Sequence, residues 1–290
     1  MCSVREAPIS RTKEIKTMGK KTTKAEAMWK TQCYAENGIE YICEEGKDYI
    51  IAPIFGRIKP LLVNGNEKIG EGVYHFSTLP TTAEFTVEID GTVYTEMGTC
   101  PCSCKGCYAT KGNYRYNTTK ASLLIKTRLA RVCAEFVKNA ILAQIKADHI
   151  EFIRIHASGD FFSAEYVEMW KEIVKASPSC TFWTYTKYSE AVNAFDSFSN
   201  ANIVKSVIPH HGFNFGHIDY IIAVYEELKK QGKSVYICRC GIDKNQHCNN
   251  CTACSKHEFV LFIEHSTEYK AEKDPLYETV KAIIEAQEEK

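Results

Sequence analysis

The sequence predicts an α/β protein: a parallel sheet, open or curled into a partial (β/α) barrel, with a small β-rich extension on its N-terminal side. Three observations predict it. From residue 118 onward, short apolar runs alternate with longer amphipathic ones, the order that feeds strands and helices into a parallel sheet. Residues 31–97 lack that rhythm and read as short strands and loops. The run 150–158 separates apolar from polar residues with period two, the mark of a strand with two different faces.

Residues 1–30 are polar and basic, carrying Arg5, Arg11, Lys13, Lys16, Lys20, Lys21, Lys24 and Lys30; a solvated arm is expected, with contact to a polyanion as the alternative. Phe85-Thr-Val-Glu-Ile89 and Thr92-Val-Tyr-Thr95 flank Asp90-Gly91, which predicts a hairpin with a type I′ turn whose second strand runs into a cysteine loop. Residues 118–148 read as one long helix that buries Leu123, Leu124, Leu129, Val132, Ile141 and Ile145. A strand follows at 150–156, then a helix from a Ser163 cap through 175 with Tyr166, Val167, Trp170 and Val174 inward. Strands at 181–186 and 203–208, a helix at 219–231, strands at 234–238 and 259–263, and a helix at 274–288 complete the chain. The expected division is an arm 1–30, an extension 31–97, a (β/α) core 98–237, a cysteine-rich loop 238–256, and a last strand and helix 257–290.

Hydrophobic residues make up 44% of the chain and charged residues 25%, the balance of an ordinary globular protein, and the formal net charge of zero gives no electrostatic argument for nucleic acid. No apolar run approaches the ~20 residues that span a bilayer. The first residues lack the apolar core of a signal peptide. A cytoplasmic protein without a membrane partner is expected, and in that reducing compartment its 14 cysteines serve more readily as metal ligands than as disulfides.

Cys100, Cys104 and Cys107 are spaced C-x3-C-x2-C, close enough to converge on one soft metal centre. Three thiolates on a cubane iron–sulfur cluster leave its fourth iron open to a small molecule. Cys102 offers a competing choice, including a zinc site built from Cys104 and Cys107. A second group packs Cys238, Cys240, His247, Cys248, Cys251 and Cys254 into 17 residues. Its two overlapping C-x2-C steps point to a metal on Cys240, Cys248, Cys251 and Cys254, with Cys238 in reserve for Cys240 and a structural zinc as one occupant. In the strand at 150–156, Phe152, Arg154, His156 and Ser158 share a face, and Arg and His there call for a polar cavity. The strand ends in Ser158-Gly159-Asp160 at the carboxyl edge, where α/β proteins hold ligands. Gly159 admits close backbone approach and Asp160 can accept from an ammonium group. Lys187 ends an inward set of Thr181, Trp183 and Tyr185 and can meet a substrate anion. Arg154, His156 and Lys187 are therefore the candidate catalytic residues. His210 and His211, and the run Tyr114-Arg115-Tyr116, are weaker candidates.

The C-x3-C-x2-C run resembles the signature of the radical S-adenosylmethionine (SAM) enzymes. That resemblance implies a partial (β/α) barrel, a 4Fe-4S cluster on Cys100, Cys104 and Cys107, and SAM chelated at the open iron. It implies Ser158, Gly159 and Asp160 at the methionine amino group, in place of a Gly-Gly-Glu-Pro-like turn from which two residue types differ. Tyr108 would take the adenine role, although the family's aromatic residue precedes the third cysteine, where Gly106 stands here. It further implies an electron donor such as flavodoxin or ferredoxin, reductive cleavage of SAM to a 5′-deoxyadenosyl radical, and hydrogen abstraction from an unknown substrate beside Arg154, His156 and Lys187. An auxiliary iron–sulfur cluster in the second cysteine group belongs to the same picture. A second resemblance covers more of the chain. Phe76-Ser77-Thr78-Leu79-Pro80, Thr99-Cys-Pro, Cys107-Tyr108-Ala109, Arg154-x-His156-x-Ser158-Gly159-Asp160-Phe161 and Tyr185-Thr186-Lys187 look like the phage "gene product 88" domain family, across residues 70–256. The competing expectation is a non-enzymatic zinc protein whose basic arm contacts nucleic acid. A thiol oxidoreductase using Cys104 and Cys107 is a third, crowded by Cys100 and Cys102.

Overall fold

Thr23 and Glu26 bond each other reciprocally, a capping box that starts helix α1 (Lys24–Glu36). The computed structural model describes residues 23–65, 69–104, 107–208, 210–243, 245–251, 253–264 and 269–288. Most of the expected basic arm, with Lys13, Lys16, Lys20 and Lys21, lies outside them. Residues 24–30 correct the rest of that expectation: they are helical, and Lys30 is held between Asp48 at 2.5 Å and Asp148 at 2.9 Å. These carboxylates keep its ammonium charged against burial.

Three antiparallel strands follow, β1 (Tyr41–Glu44), β2 (Lys47–Ala52) and β3 (Gly56–Ile58). Next come β4 (Val63–Asn64), β5 (Val73–His75), and the hairpin β6 (Glu84–Ile89) and β7 (Thr92–Met97). Ile89 pairs with Thr92, and Asp90 and Gly91 both have positive φ (48° and 77°), so the type I′ turn stands. The single helix expected over 118–148 is two, α2 (Asn117–Val132) and α3 (Ala134–Ala147), broken where Cys133 adopts φ −138°, ψ 45°. The break lets α2 lie on the β6–β7 hairpin while α3 packs on α1 and on α4 (Ala164–Ala176). Ser163 caps α4 by accepting from the Tyr166 N–H.

The remaining elements are β8 (Phe152–Arg154), β9 (Thr181–Thr186), the short α5 (Ser189–Val192), β10 (Ala201–Lys205), β11 (Val207–Ile208), β12 (Gly212–Phe213), β13 (Phe215–Gly216), α6 (Ile218–Lys230), β14 (Val235–Ile237), β15 (Phe259–Ile263) and α7 (Tyr277–Glu288). The strand expected at 203–208 divides into β10 and the hairpin strand β11, which pairs with β12. The parallel core has the order β10-β9-β8-β5, with β4 antiparallel at the edge. β5 and β4 thus carry the N-terminal extension into the main sheet. A second parallel sheet has the order β13-β15-β14. Hydrogen bonds from Ser206 N to Thr186 O, from Asn214 N to Ser206 O and from Phe262 N to Asn214 O link the two. Among the described residues the strands do not close into a barrel. No helix there is long and apolar enough to cross a membrane.

Register sorts the two faces. Tyr74, Ile153 and Phe182 stand in line and pack under the helices with Trp170, Ile141 and Val137, which form the main core. His75, Arg154, Trp183 and Asn202 line up on the other face. That face is covered by the loop between β14 and β15, the second cysteine group.

Candidate functional site

The first cysteine loop hangs directly above the carboxyl end of β8. Residues 79–83 and 98–100 run side by side, with Thr99 N bonded to Leu79 O and Cys100 N to Thr81 O. The Thr99 hydroxyl takes the Asp160 N–H at 3.0 Å, joining this loop to the turn after β8. Burial pushes the Cys100 thiol up to about 12, with the Asp160 carboxylate acting in the same direction. Cys107 lies within electrostatic reach of Cys100, and Cys102 hydrogen-bonds Cys104. The Lys187 ammonium stands within electrostatic reach of Cys104, Asp160 and Cys100, and its pKa is raised although burial opposes it. Lys105 and Gly106, in the middle of the loop, lie outside the described residues.

The turn Ser158-Gly159-Asp160 is filled by the protein itself. Ser158 donates to Thr78 O at 3.0 Å. Gly159 has φ +78°, and a Cβ there would stand 1.9 Å from Thr78 Oγ1 and 2.6 Å from Thr99 Oγ1. Its close approach is therefore to these threonines. Asp160 Oδ1 accepts from Thr186 Oγ1 at 2.5 Å and from Phe161 N at 2.8 Å, and Oδ2 from Lys187 N at 2.8 Å. Burial raises its pKa against these bonds. Both oxygens expected to meet an ammonium group are thus engaged in holding the start of the 187 loop.

Arg154 and His156 part company. Arg154 lies on the inner face with its guanidinium 5.4 Å from the Tyr185 ring centroid and its Nε donating to His156 O. His156 turns instead into the helical core: its Nε2 pairs with Tyr166 Oη at 3.0 Å, and its ring packs on Phe161 and Trp170. Strand alternation ends at Arg154, so the expected shared face with His156 does not form. Burial, with the charge of Arg154 adding to it, pushes the imidazole down to about 3, and His156 is a neutral core residue. Among the described residues no single polar cavity is lined by Arg154, His156 and Lys187 together. Tyr108 is 55% exposed; its hydroxyl donates to Ala157 O and its ring meets Tyr114 edge-on.

The second cysteine group sits under Arg154. Cys238 is tied to β15 through Leu261 O, and its thiol bonds Cys240, so both candidate first ligands are drawn together. The Tyr185 hydroxyl donates to Cys254 Sγ at 2.5 Å. Burial lifts Cys248 to about 11 and Cys254 to about 12, with Arg154 opposing both shifts. Cys248, Cys251 and Cys254 line a small cleft with Phe152, Trp183, Asn249 and Ser255. Asn249 fastens the loop to the chain before β5, its N–H bonded to Ile69 O and its amide to Glu71 O. Among the described residues His247 Nδ1 is buried without a partner. Among the described residues, no three His, Cys, Asp or Glu side chains already enclose a metal ion.

Two residues of this region escape the sequence reading, and a third, Tyr114, is one of its weaker candidates. Lys126, on α2, is 5% exposed and His75, on β5, is register-paired with Arg154. The Tyr114 hydroxyl bonds Ser158. Lys126 leaves one trace in the sequence: it stands three residues from Leu123 and from Leu129, inside the apolar stripe of its helix.

The family described as "Gene product 88" matches residues 60–274. The "Gene 88 protein" of Mycobacterium phage L5 is 40% identical over 65 residues, 22% of this chain and 26% of that protein. The "Gene 88 protein" of Mycobacterium phage D29 is 28% identical over 109 residues, 33% of this chain and 44% of that protein. The chain thus aligns with less than half the length of either relative. No solved structure matches. The family match takes in the strands β5, β8 and β9, the 187 loop and both cysteine groups, and on that match the chain belongs to the Gene product 88 family.

Proposed function

We propose that this chain is a radical SAM-type iron–sulfur enzyme acting on an anionic or polar substrate, with a second metal group in the loop between β14 and β15. One observation supports the reading: the loop of Cys100, Cys104 and Cys107 is tied to the turn at the carboxyl end of β8 through Thr99, with Cys107 within electrostatic reach of Cys100 and the Lys187 ammonium within reach of Cys104 and Cys100. Cys100, Cys104 and Cys107 suit a 4Fe-4S cluster as soft donors, and Lys187 offsets negative charge on them. Bound there, the cluster would supply the electron for reductive cleavage of SAM. The Asp160 turn fits the family's amino-group site less well, because Thr186, Phe161 and Lys187 already take its oxygens. In this arrangement Asp160 positions Lys187, and Tyr108 covers the turn from solvent. Cys238, Cys240, Cys248, Cys251 and Cys254, in one loop with His247, whose Nδ1 has no partner among the described residues, suit a second metal.

A second reading, a zinc protein without catalysis, has its own support. Cys251 and Cys254 pack with Val204, Tyr236 and Val260, as ligands of a loop-closing structural metal do. Anaerobic purification followed by iron, sulfide and zinc analysis separates the two. The enzyme reading expects brown protein whose SAM cleavage with dithionite disappears in Cys104→Ala. Colourless protein holding zinc alone would overturn it.

A further inference from the structure

We propose that the segment 108–120, between the first cysteine loop and α2, is a binding surface for single-stranded nucleic acid. Residues 97–134 carry seven lysines and arginines and no aspartate or glutamate, in a chain whose formal net charge is zero. The structure sorts these cations. Lys126 is buried in α2, and Arg128 and Arg131 pair with the buried Glu96. Lys105 lies outside the described residues. Lys111 and Arg115 are exposed and Lys120 is half-buried. None of these three takes part in an ion pair among the described residues. Three cations without a counter-charge on one short stretch make a local positive field that the neutral total conceals.

Aromatic rings stand among these cations. Tyr108 is 55% and Tyr116 62% exposed, and among the described residues no other Phe, Tyr or Trp is more than half exposed. Large rings normally turn inward, as Tyr114 between them does: it packs with Leu79, Val87, Leu123 and Leu124. Its ring also meets that of Tyr108 edge-on, with centroids 6.0 Å apart. Backbone bonds hold the stretch in two single 3-10 turns, from Lys111 N to Tyr108 O at 3.0 Å, from Tyr114 N to Lys111 O at 3.2 Å and from Tyr116 N to Asn113 O at 3.2 Å. Lys120 N then bonds Tyr116 O at 3.0 Å as α2 begins. Tyr114 anchors this frame and leaves its neighbours Arg115 and Tyr116 in water.

Exposed tyrosine rings interleaved with unpaired Lys and Arg match one polymer: its bases stack on the rings while the cations meet the phosphates between them. A duplex hides its base faces and an acidic peptide has none, so either would use the cations alone. Tyr108 directly follows Cys107, so a strand bound here passes the first cysteine loop. That such a strand is the substrate rests on the radical SAM reading above; the binding itself does not.

The test is fluorescence anisotropy of the full chain with a labelled short oligonucleotide of mixed sequence, single-stranded as RNA or as DNA, over a series of salt concentrations. Saturable binding to at least one strand is expected, and the tighter of the two names the sugar. Tyr116→Ala, at an exposed side chain, should weaken it about tenfold or more with the salt slope unchanged, whereas Tyr116→Phe should bind as the parent does. Replacing Lys111 and Arg115 together by Gln should flatten the slope of log K against log salt by about 1.4, the loss of two phosphate contacts. Changing Lys13, Lys16, Lys20 and Lys21 of the basic arm to Gln should leave the dependence on Tyr116 in place. Failure to bind either strand, equal affinity for the duplex of the same sequence or for polyglutamate, or full binding by Tyr116→Ala would overturn the proposal. Because the titration needs no cluster, a failed metal assay leaves its result standing, and the reverse.

Discussion

At Gly159 the residue type and the backbone agree on one purpose. Its φ of +78° is unfavourable to any side chain, and a methyl group would overlap the hydroxyls of Thr78 and Thr99 that bind the two loops together. Gly159→Ala should cost about 3 kcal/mol of stability by denaturant unfolding and lower metal content with it, because the turn positions the first cysteine loop. His156 gives a prediction of opposite kind. Its folded-state pKa, pushed to about 3 by burial and by Arg154, lies below the unfolded value near 6.5. Between those values the unfolded chain binds the extra proton, so stability is full above about pH 6.5 and drains away as pH falls toward 3, by about 5 kcal/mol in all. His156→Gln, which can still meet the Tyr166 hydroxyl, should flatten the acid limb of a stability-against-pH curve; an unchanged limb would return His156 to an exposed, titrating role. The sequence marked Gly159 as a place of close approach but named a ligand as what approaches, where the structure has Thr78 and Thr99. It made His156 misleading, because alternation names a face only while the strand continues.

Elements were legible wherever their period was long enough to count. α4 and α6 announce themselves by apolar stripes and β15 by an unbroken apolar run, and all three stand close to where the sequence puts them. β5 has three residues and no periodic signal, and its parallel partner β8 lies far along the chain, so nothing local reveals the pairing. The break at Cys133 is equally silent, since no proline or glycine marks it. Its position follows from what each half must reach. α3 holds the chain entering β4 through Gln144, whose amide accepts from Leu62 N and donates to Leu62 O, both at 2.8 Å. Leu62 is buried, so Gln144→Leu strands one donor and one acceptor without water. A loss of about 3 kcal/mol is expected by urea unfolding, against less than about 0.5 kcal/mol for a surface change such as Lys175→Gln. Equal losses for the two would remove Gln144 as the link between α3 and the sheet.

For the whole molecule, the parallel sheet explains how two cysteine loops far apart in sequence come to the two sides of one strand end. The first loop hangs over the carboxyl end of β8, and the second folds back from β14 onto the inner face, so Arg154 lies within electrostatic reach of Cys248 and Cys254 of the second and of Tyr108, next to the last cysteine of the first. This juxtaposition could not be read from spacing, which reports ligands within one loop and says nothing about which face a loop covers. It makes the second loop a lid on Trp183, which is 5% exposed and packs with Cys248 and Cys254. If a metal holds that lid, its removal should let water reach the indole. Full chain loaded with metal should show a red shift in tryptophan emission when a chelator strips it, in step with metal lost by elemental analysis. Trp170 is fully buried in the helical core and Trp29 is already 36% exposed, so neither should respond. Trp183→Phe should therefore abolish the shift, and Cys251→Ala should show it before any chelator is added. Emission that stays fixed while the metal leaves would mean that apolar packing on Val73, Phe152 and Trp183 suffices to hold the loop, and its cysteines would then need a purpose other than closure.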